Sequence, residues 1–182
     1  EDPKISVALI EAGPSDEHEP RALQLSRWFE MLEGEYDLDY RSVEQERGNS
    51  DIRQARARIL GGCTSHNTMI AFKPPREDLD TWVAAGAQGW DSETLHPYFE
   101  RLLTPIQPVI PEHRNPYLAD VTESARRALN LPDVEDWNDG ELRTAAGFFS
   151  VAYDPSTGVR GSSSVWYLHP IMHERENLTV LL

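Results

Sequence analysis

The sequence predicts an α/β fold, and three observations lead to that prediction. An apolar run rich in β-branched residues, Ile5 to Ile10, is typical of a buried parallel strand. A second such run, Leu178 to Leu182, closes the sequence. Between them, apolar residues recur at helical spacing in several segments. Strands separated by helices indicate an α/β architecture.

The composition is globular and acidic. Of the 182 residues 39% are hydrophobic, enough for one sizeable core, and the formal net charge is -14. This charge argues against a nucleic-acid or anionic-membrane partner and favours a cationic substrate. A single cysteine excludes an intrachain disulfide framework, and the histidines lack the paired spacing of a metal site. No apolar segment is long enough to span a bilayer, so no membrane segment is predicted.

The first predicted strand ends at an acidic residue. Ile5 to Ile10 is followed by Glu11, and Gly13-Pro14 then stops the strand. In a dinucleotide-binding fold, an acidic residue at this place holds the ribose hydroxyls of the adenosine half. A solvated carboxylate at a strand end is the alternative. The turn G-x-G-x-x-G that precedes such a strand is absent from the sequence.

A helix is predicted between Glu19 and Gly34, with Pro20 at its start. Its apolar stripe consists of Leu25, Trp28, Phe29 and Leu32. The following segment, 36–54, is polar and has few periodic apolar positions, which predicts an extended surface loop.

The most informative segment is residues 58–69, with the sequence RILGGCTSHNTM. Gly61 and Gly62, followed by small side chains, let the backbone pass close to a bound ligand, and His66 presents an imidazole at the same place. This predicts a cofactor-contact segment that leads into a helix over residues 65–71. The alternative is a plain turn into a helix capped by Thr64 or Ser65, with His66 packed or solvated.

Three more helices are predicted from caps and spacing. The first spans Arg76 to Ala85, the second begins at Asp91 or Ser92, and the third spans residues 119–129. The buried stripe of the second consists of Leu95, Tyr98, Phe99 and Leu102. We further predict an irregular segment over 105–116, a strand over 148–153 and a turn over 154–158.

Three ordered blocks resemble the glucose-methanol-choline (GMC) flavin oxidoreductases. Residues 55–90 resemble the first signature region of that family, through GGCTSHN at 61–67 and PREDLDTW at 75–82. The blocks VALIEAGP at 7–14 and RGSSSVWYLHP at 160–170 match in order and in approximate spacing. The implied fold is an incomplete FAD-binding domain of the dinucleotide-binding, Rossmann-like type, with an irregular helical extension. The implied reaction is hydride transfer from an alcohol CH–OH group to FAD.

The resemblance also implies a domain organisation. Residues 1–104 would form part of the FAD-binding domain, including the flavin-attachment region. Residues 105–182 would form an irregular, helical connection that returns to the FAD and substrate domains. Members of this family are much longer, the first residue is not Met, and the last apolar run stops abruptly. We therefore expect an internal piece of a longer enzyme that is inactive alone.

The resemblance assigns cofactor contacts to six residues. Glu11 would bind the ribose of FAD, and the isoalloxazine would lie against the segment that contains Gly61, Gly62, Cys63 and Asn67. His66 stands where most family members carry an aliphatic residue and where the choline-oxidising members carry a histidine bonded to the flavin 8-methyl carbon. A covalent FAD link through His66 is therefore the prediction.

Two residues are assigned to the substrate. Trp28 matches a tryptophan that lines the cage around the trimethylammonium group of choline, which an aromatic face attracts through its quadrupole. Core packing is the alternative for Trp28. Thr68 stands where a serine hydroxyl is expected beside the substrate and flavin N5, and would be catalytic. Its extra methyl group leaves room for an alcohol other than choline.

The catalytic histidine and its His/Asn partner in this family lie beyond the matched residues, so no histidine of the chain is predicted to be the catalytic base. His169 is expected to be structural, near a turn at Ser162 to Ser164. The expected partners are a small-molecule alcohol, with choline as one candidate, and oxygen or another electron acceptor. A homodimer of the full-length protein and a cytoplasmic location are also expected.

Two competing interpretations stay open. Cys63 could be a nucleophile activated by His66, as in a thiol hydrolase, although no third orienting residue is evident. The chain could also be a non-catalytic dinucleotide-binding module.

Overall fold

The computed structural model describes residues 2–48, 50–141 and 143–182. The chain divides into two compact units, one formed by Glu1–Met69 with Ser156–Leu182 and the other by Ile70–Pro155. These boundaries differ from the two predicted segments, 1–104 and 105–182, whose assignment to domains of the full-length protein stays a prediction.

The elements are short. The strands are β1 (Val7–Ile10), β2 (Tyr40–Arg41), β3 (Arg53–Gln54), β4 (Ile106–Pro108), β5 (Ser150–Ala152) and β6 (Leu178–Leu181). The α-helices are α1 (Pro20–Leu23), α2 (Arg76–Ala84), α3 (Ser92–Phe99) and α4 (Pro116–Ala128). Three 3-10 helices, Leu25–Met31, Gly62–Ser65 and Pro111–His113, and a π-helical turn, Ser164–Leu168, complete the described elements.

The first unit contains both predicted strands, which pair with each other. β1 pairs in parallel with β6, with Val7 opposite Leu178 and Ile10 opposite Leu181. The predicted burial of these strands is wrong, since Val7 is 49% and Ile10 78% exposed. The sheet has only these two strands in the described part of the chain, and two strands cannot cover each other's faces.

The helix predicted between Glu19 and Gly34 forms in two pieces, α1 and the 3-10 helix Leu25–Met31. Pro20 is the first helical residue, as predicted, and the Glu19 carboxylate caps the helix by accepting from the Arg21 N–H at 2.9 Å. Gln24 separates the pieces because its backbone is extended and forms a bridge to Val159. A residue engaged in such a bridge cannot continue the α-helical hydrogen bonds.

The segment 36–54, predicted to be a loop, contains an antiparallel pair. β2 pairs with β3, with Tyr40 opposite Gln54. The pairing is supported by Arg53, which forms ion pairs with Glu33, Asp37 and Asp39. Ion pairs and backbone hydrogen bonds hold this hairpin. Its sequence has no alternating apolar pattern, which is the signal that predicts a strand, so the pair was not predicted.

The core of the first unit lies beside this hairpin. Its buried cluster consists of Ala22, Met31, Tyr36 and Ile59, with Ala57 packed against it. The predicted apolar stripe therefore supplies little of the core, and Phe29 is an exposed residue.

In the second unit, the helices predicted from local signals are confirmed. α2 ends before Gly86, whose φ of +106° suits glycine. α3 is capped by Asp91, whose carboxylate accepts from the Thr94 N–H at 2.9 Å. The predicted burial of the α3 stripe is partly wrong, since Tyr98 is 57% and Leu102 47% exposed. α3 packs on α2, which leaves the outer part of that stripe in solvent.

The rest of the second unit is more regular than predicted. α4 begins three residues earlier than predicted, because Asn115 caps it and Pro116 occupies its first turn. The segment predicted to be irregular, 105–116, contains β4, which pairs antiparallel with the predicted strand β5. A turn follows at 155–157, within the predicted range. Among the described residues, no helix is long and apolar enough to cross a bilayer.

Candidate flavin-binding site

Gly61 and Gly62 form a tight left-handed turn. Their φ angles are +86° and +57°, which only glycine adopts without strain. A Cβ at Gly61 would collide with the hydroxyl oxygens of Ser65 and Ser164. At Gly62, a Cβ would have no atom of the described chain within 4 Å. The turn is therefore packed on one side and open on the other.

The helix predicted over residues 65–71 is wrong. The 3-10 helix Gly62–Ser65 ends at His66, whose φ of −133° is not helical, and Met69 has a φ of +61°. Neither Thr64 nor Ser65 caps a helix, because their hydroxyls donate to the carbonyls of Gly61 and Leu60, at 2.6 and 2.8 Å. The alternative of a turn into a helix capped by Thr64 or Ser65 is therefore wrong about the capped helix.

The side chains after the turn point to two different environments. Cys63, Asn67 and Thr68 are exposed, whereas Ser65 and His66 are buried. Three of the predicted cofactor or substrate contacts are thus accessible to a ligand.

His66 lies in a buried pocket of the first unit and is 4% exposed. Its Nε2 is 3.8 Å from Oδ2 of Asp37 and has no hydrogen-bond partner in the described part of the chain. Burial lowers the pKa of His66, and the nearby Asp37 carboxylate opposes this shift only in part. The imidazole is therefore neutral at neutral pH, which leaves a nitrogen lone pair able to form a bond.

Asp37 is itself held in place by the backbone. Its carboxylate accepts hydrogen bonds from the N–H groups of Glu33, Asp39 and Arg56 at 2.9 to 3.1 Å. Burial raises the pKa of Asp37, but these three donors outweigh it and lower the pKa. A fixed negative charge thus faces the His66 ring.

Asp16, which the sequence did not single out, anchors the packed side of the turn. The carboxylate is fully buried, accepts from the Ser164 hydroxyl, and lies 2.8 Å from Nε2 of His169. The Ser65 hydroxyl is 3.5 Å from the same carboxylate. His169 therefore has the structural contact expected of it.

A second link joins the same two segments. The N–H of Ser163 donates to the Thr64 hydroxyl at 2.9 Å, and the two hydroxyls are 3.0 Å apart. The segment predicted to be a turn, Ser162 to Ser164, leads into the π-helical turn and lies against the Gly-Gly turn. The sequence blocks 61–67 and 160–170 are therefore in direct, hydrogen-bonded contact.

Glu11 lies at the carboxyl end of β1, where a dinucleotide fold requires its ribose ligand. One carboxylate oxygen accepts from the Gly13 N–H at 2.8 Å, and the side chain is half-buried. A Cβ at Gly13 would collide with the carbonyl of Arg58, so the strand end approaches the segment that leads into the turn. The structure thus brings the Glu11 loop against residues 58–60.

Trp28 lies in the 3-10 helix Leu25–Met31 and is half-buried. Its ring is T-shaped against Phe29, with centroids 6.4 Å apart. Its role in an ammonium cage stays a prediction.

The residues present fit FAD. A carboxylate with one oxygen bonded to the chain stands at the end of β1, and the turn has open space at Gly62. A buried, neutral imidazole follows within the same segment. In contrast, the described residues contain no group of His, Cys, Asp or Glu able to hold a metal ion.

The comparisons with known proteins agree with this arrangement. The pattern of the GMC oxidoreductase family matches residues 23–182. The chain therefore belongs to the GMC oxidoreductases. It is 44% identical to choline oxidase from Arthrobacter globiformis, over 100% of this chain and 36% of that protein. It is 27% identical to oxygen-dependent choline dehydrogenase from Rhizobium rhizogenes (strain K84 / ATCC BAA-868), over 100% of this chain and 35% of that protein.

Solved structures give the same family. Pyridoxine 4-oxidase from Mesorbium loti matches with a TM-score of 0.85 at 27% identity, over 99% of this chain and 38% of that one. Formate oxidase matches in fold, with a TM-score of 0.75 at 21% identity, over 98% and 34%. These findings confirm the predicted family and its FAD-binding, Rossmann-like fold class. The chain spans about a third of the length of these relatives.

Proposed function

We propose that this chain forms the flavin-contacting part of an FAD-dependent alcohol oxidoreductase, which oxidises choline or a related alcohol. The observation that carries the proposal is the turn at Gly61 and Gly62, open at Gly62 and followed within four residues by a buried, neutral imidazole. The 44% identity to choline oxidase supports the reaction class.

The geometry supports the proposed cofactor contacts. Glu11 binds the ribose hydroxyls through the carboxylate oxygen that does not accept from Gly13. Gly61 and Gly62 allow close approach of the backbone, and Cys63 and Asn67 are exposed in the same segment. His66 would hold the flavin through its unprotonated nitrogen, by a bond to the 8-methyl carbon that replaces one C–H bond. The flavin ring would take up the two electrons, and the electron acceptor would then remove them. FAD, when bound, supplies the hydride acceptor.

Two residues act on the substrate side. Thr68 is exposed next to Asn67, and its hydroxyl hydrogen-bonds to the alcohol oxygen and holds its CH–OH carbon toward the cofactor. Trp28 binds the trimethylammonium group through its ring face. The net charge of -14 attracts such a cation over long range.

The remaining expectations form part of the same proposal. Oxygen or another acceptor reoxidises the enzyme, and the full-length protein is a cytoplasmic homodimer. Residues 1–104 belong to its FAD-binding domain, and residues 105–182 connect that domain to the substrate domain.

A second candidate is a GMC oxidoreductase for an alcohol other than choline. It is favoured by the methyl group of Thr68, which crowds the position of the alcohol. The structural similarity to pyridoxine 4-oxidase is consistent with it.

Anaerobic reduction of the full-length protein tests both candidates. The purified protein is mixed without oxygen with choline, betaine aldehyde, pyridoxine or a neutral alcohol, and the flavin absorbance is followed. Fastest bleaching by choline supports the first candidate, and faster bleaching by an uncharged alcohol supports the second. A protein that binds flavin but is reduced by no alcohol is instead a non-catalytic dinucleotide-binding module.

Thiol chemistry at Cys63 is the other competing interpretation. The Cys63 side chain is exposed, while His66 is buried beside Asp37. A Cys63→Ala protein that bleaches like the parent contradicts a nucleophilic role for Cys63.

A further inference from the structure

Arg160 is fully buried in the first unit and contacts the segment that follows the Gly-Gly turn. Its Nε donates to the Ala22 carbonyl at 2.8 Å. Its Nη1 donates to the carbonyls of Thr64 and Asn67 at 3.1 and 2.8 Å, and to the Asn67 side-chain oxygen at 3.0 Å. One guanidinium thus joins α1 to both ends of the segment that carries His66.

The charge of this guanidinium is not compensated within the described residues. Its acceptors are neutral oxygens, and its Nη2 is buried without a hydrogen-bond partner. Burial alone lowers the pKa of Arg160 to about 10, and no carboxylate shifts it upward. Even so, Arg160 remains charged at neutral pH. A buried, unpaired charge is costly, so its retention calls for a function.

The hydrogen bonds of Arg160 also set the direction of the backbone donors. They draw the carbonyls of Thr64 and Asn67 toward the interior. The described chain contains no cis peptide, and a trans peptide points its N–H opposite to its carbonyl. The N–H of Thr68 therefore points away from Arg160, and Thr68 itself is exposed.

We propose that Arg160 is a positioning residue for the cofactor. Arg160 aims the Thr68 N–H at the flavin and supplies an unpaired positive charge on the other side of this backbone segment. This inference rests on the proposed function, since it takes the flavin to lie along residues 61–68. The charge stabilises the reduced, anionic state of the cofactor more than the oxidised state. Lysine could supply the charge but cannot bridge three carbonyls, because it lacks the planar fork.

Two variants of the full-length holoenzyme separate the two roles. Arg160→Lys keeps the charge and loses the fork, while Arg160→Met loses both. Arg114→Met is the matched control, because Arg114 also donates to a backbone carbonyl, that of Val109 at 2.8 Å, but lies in the second unit. For each protein we measure the two-electron midpoint potential of the flavin, the flavin stoichiometry, and the hydrogen exchange of the amides of residues 62–69.

We expect Arg160→Met to reduce the preference of the site for reduced over oxidised flavin at least tenfold, a fall of about 30 mV in midpoint potential. Arg160→Lys should keep the parent potential, bind less flavin and exchange the amides of residues 62–69 faster. Arg114→Met should match the parent in all three measurements.

An unchanged potential in Arg160→Met overturns the role of the charge, because a purely structural arginine would not affect the potential. Parent-like exchange and stoichiometry in Arg160→Lys overturn the positioning role. Failure of both variants to fold also counts against the proposal, because Arg160 would then support the whole unit. A parent protein without flavin would refute the proposed function instead, and exchange in Arg160→Lys would still test the tether.

Discussion

Replacing Gly61 or Gly62 by alanine should affect different properties of the protein: mainly its stability at Gly61 and mainly its flavin binding at Gly62. Both residues adopt a left-handed conformation, which costs an alanine about 1–2 kcal/mol. At Gly61 the new Cβ also collides with the hydroxyls of Ser65 and Ser164, and such overpacking adds about 1–3 kcal/mol. At Gly62 the new Cβ enters open space. Gly61→Ala should therefore be the less stable variant by about 1–3 kcal/mol.

Thermal unfolding of the two full-length variants measures this difference. A change of 1 kcal/mol shifts the midpoint by about 2–4 °C in a domain of 150–250 residues, so a difference of about 1–3 kcal/mol should make Gly61→Ala melt about 2–12 °C below Gly62→Ala. The flavin content should not follow the order of the melting temperatures. Gly62→Ala should lose only about 1–2 kcal/mol, the cost of the left-handed conformation, yet it should bind less flavin, because its methyl group occupies the space assigned to the cofactor.

Equal melting temperatures for the two variants would refute the assignment of the packed and open sides of the turn. Full flavin occupancy in Gly62→Ala would refute the location of the flavin while leaving the fold intact. The pair thus controls for itself, since both changes add the same atoms to adjacent residues of the same conformation.

Four further outcomes follow. In a His66→Ala background, where the flavin cannot be bonded covalently, Glu11→Gln should weaken FAD binding roughly 10- to 100-fold in an equilibrium dialysis measurement, the effect of a charged hydrogen bond. Trp28→Leu should raise KM for choline about 2- to 30-fold without a comparable change for neutral alcohols, and an equal change for both would favour simple packing. Asp16→Asn should lower the free energy of unfolding by about 3 kcal/mol, whereas Asp39→Asn, at an exposed carboxylate, should cost less than about 0.5 kcal/mol. The folded pKa of His66 lies below its ordinary 6.5, so its contribution to stability is present above pH 6.5 and is lost as the pH falls toward the folded pKa; His66→Asn should remove this part of the pH dependence of urea unfolding.

Local signals predicted the elements that depend on local structure. α2, α3 and α4 each have a cap or breaker within a few residues, and each forms within a few residues of the predicted bounds. β1 and β6 were recognised as strands because β-branched apolar runs are enriched in strands, whereas their parallel pairing with each other was not predicted.

Long-range pairing explains the failures. The helix from Glu19 is interrupted because Gln24 bridges to Val159, a residue more than a hundred positions away. The hairpin of β2 and β3 is held by ion pairs rather than by an apolar face. No pattern within these segments contains that information, so their polar sequences predicted a loop.

The sequence revealed only the part of the candidate site whose residues are adjacent along the chain. Gly61, Gly62 and His66 are adjacent in sequence and form a recognisable motif, whereas Asp16 is one of several acidic residues in a polar segment. Its role depends on His169, and that of Arg160 depends on Thr64 and Asn67. A buried charge with distant, neutral partners leaves no periodic signal.

The central claim is that the flavin lies along the Gly-Gly turn and is bonded to His66. The direct measurement is peptide mass spectrometry of the full-length protein after acid denaturation and proteolysis. The peptide containing His66 should carry the added mass of FAD, and His66→Ala should lose this mass while Cys63→Ala retains it. Flavin released intact from the denatured protein, or found on another peptide, would contradict a covalent bond to His66.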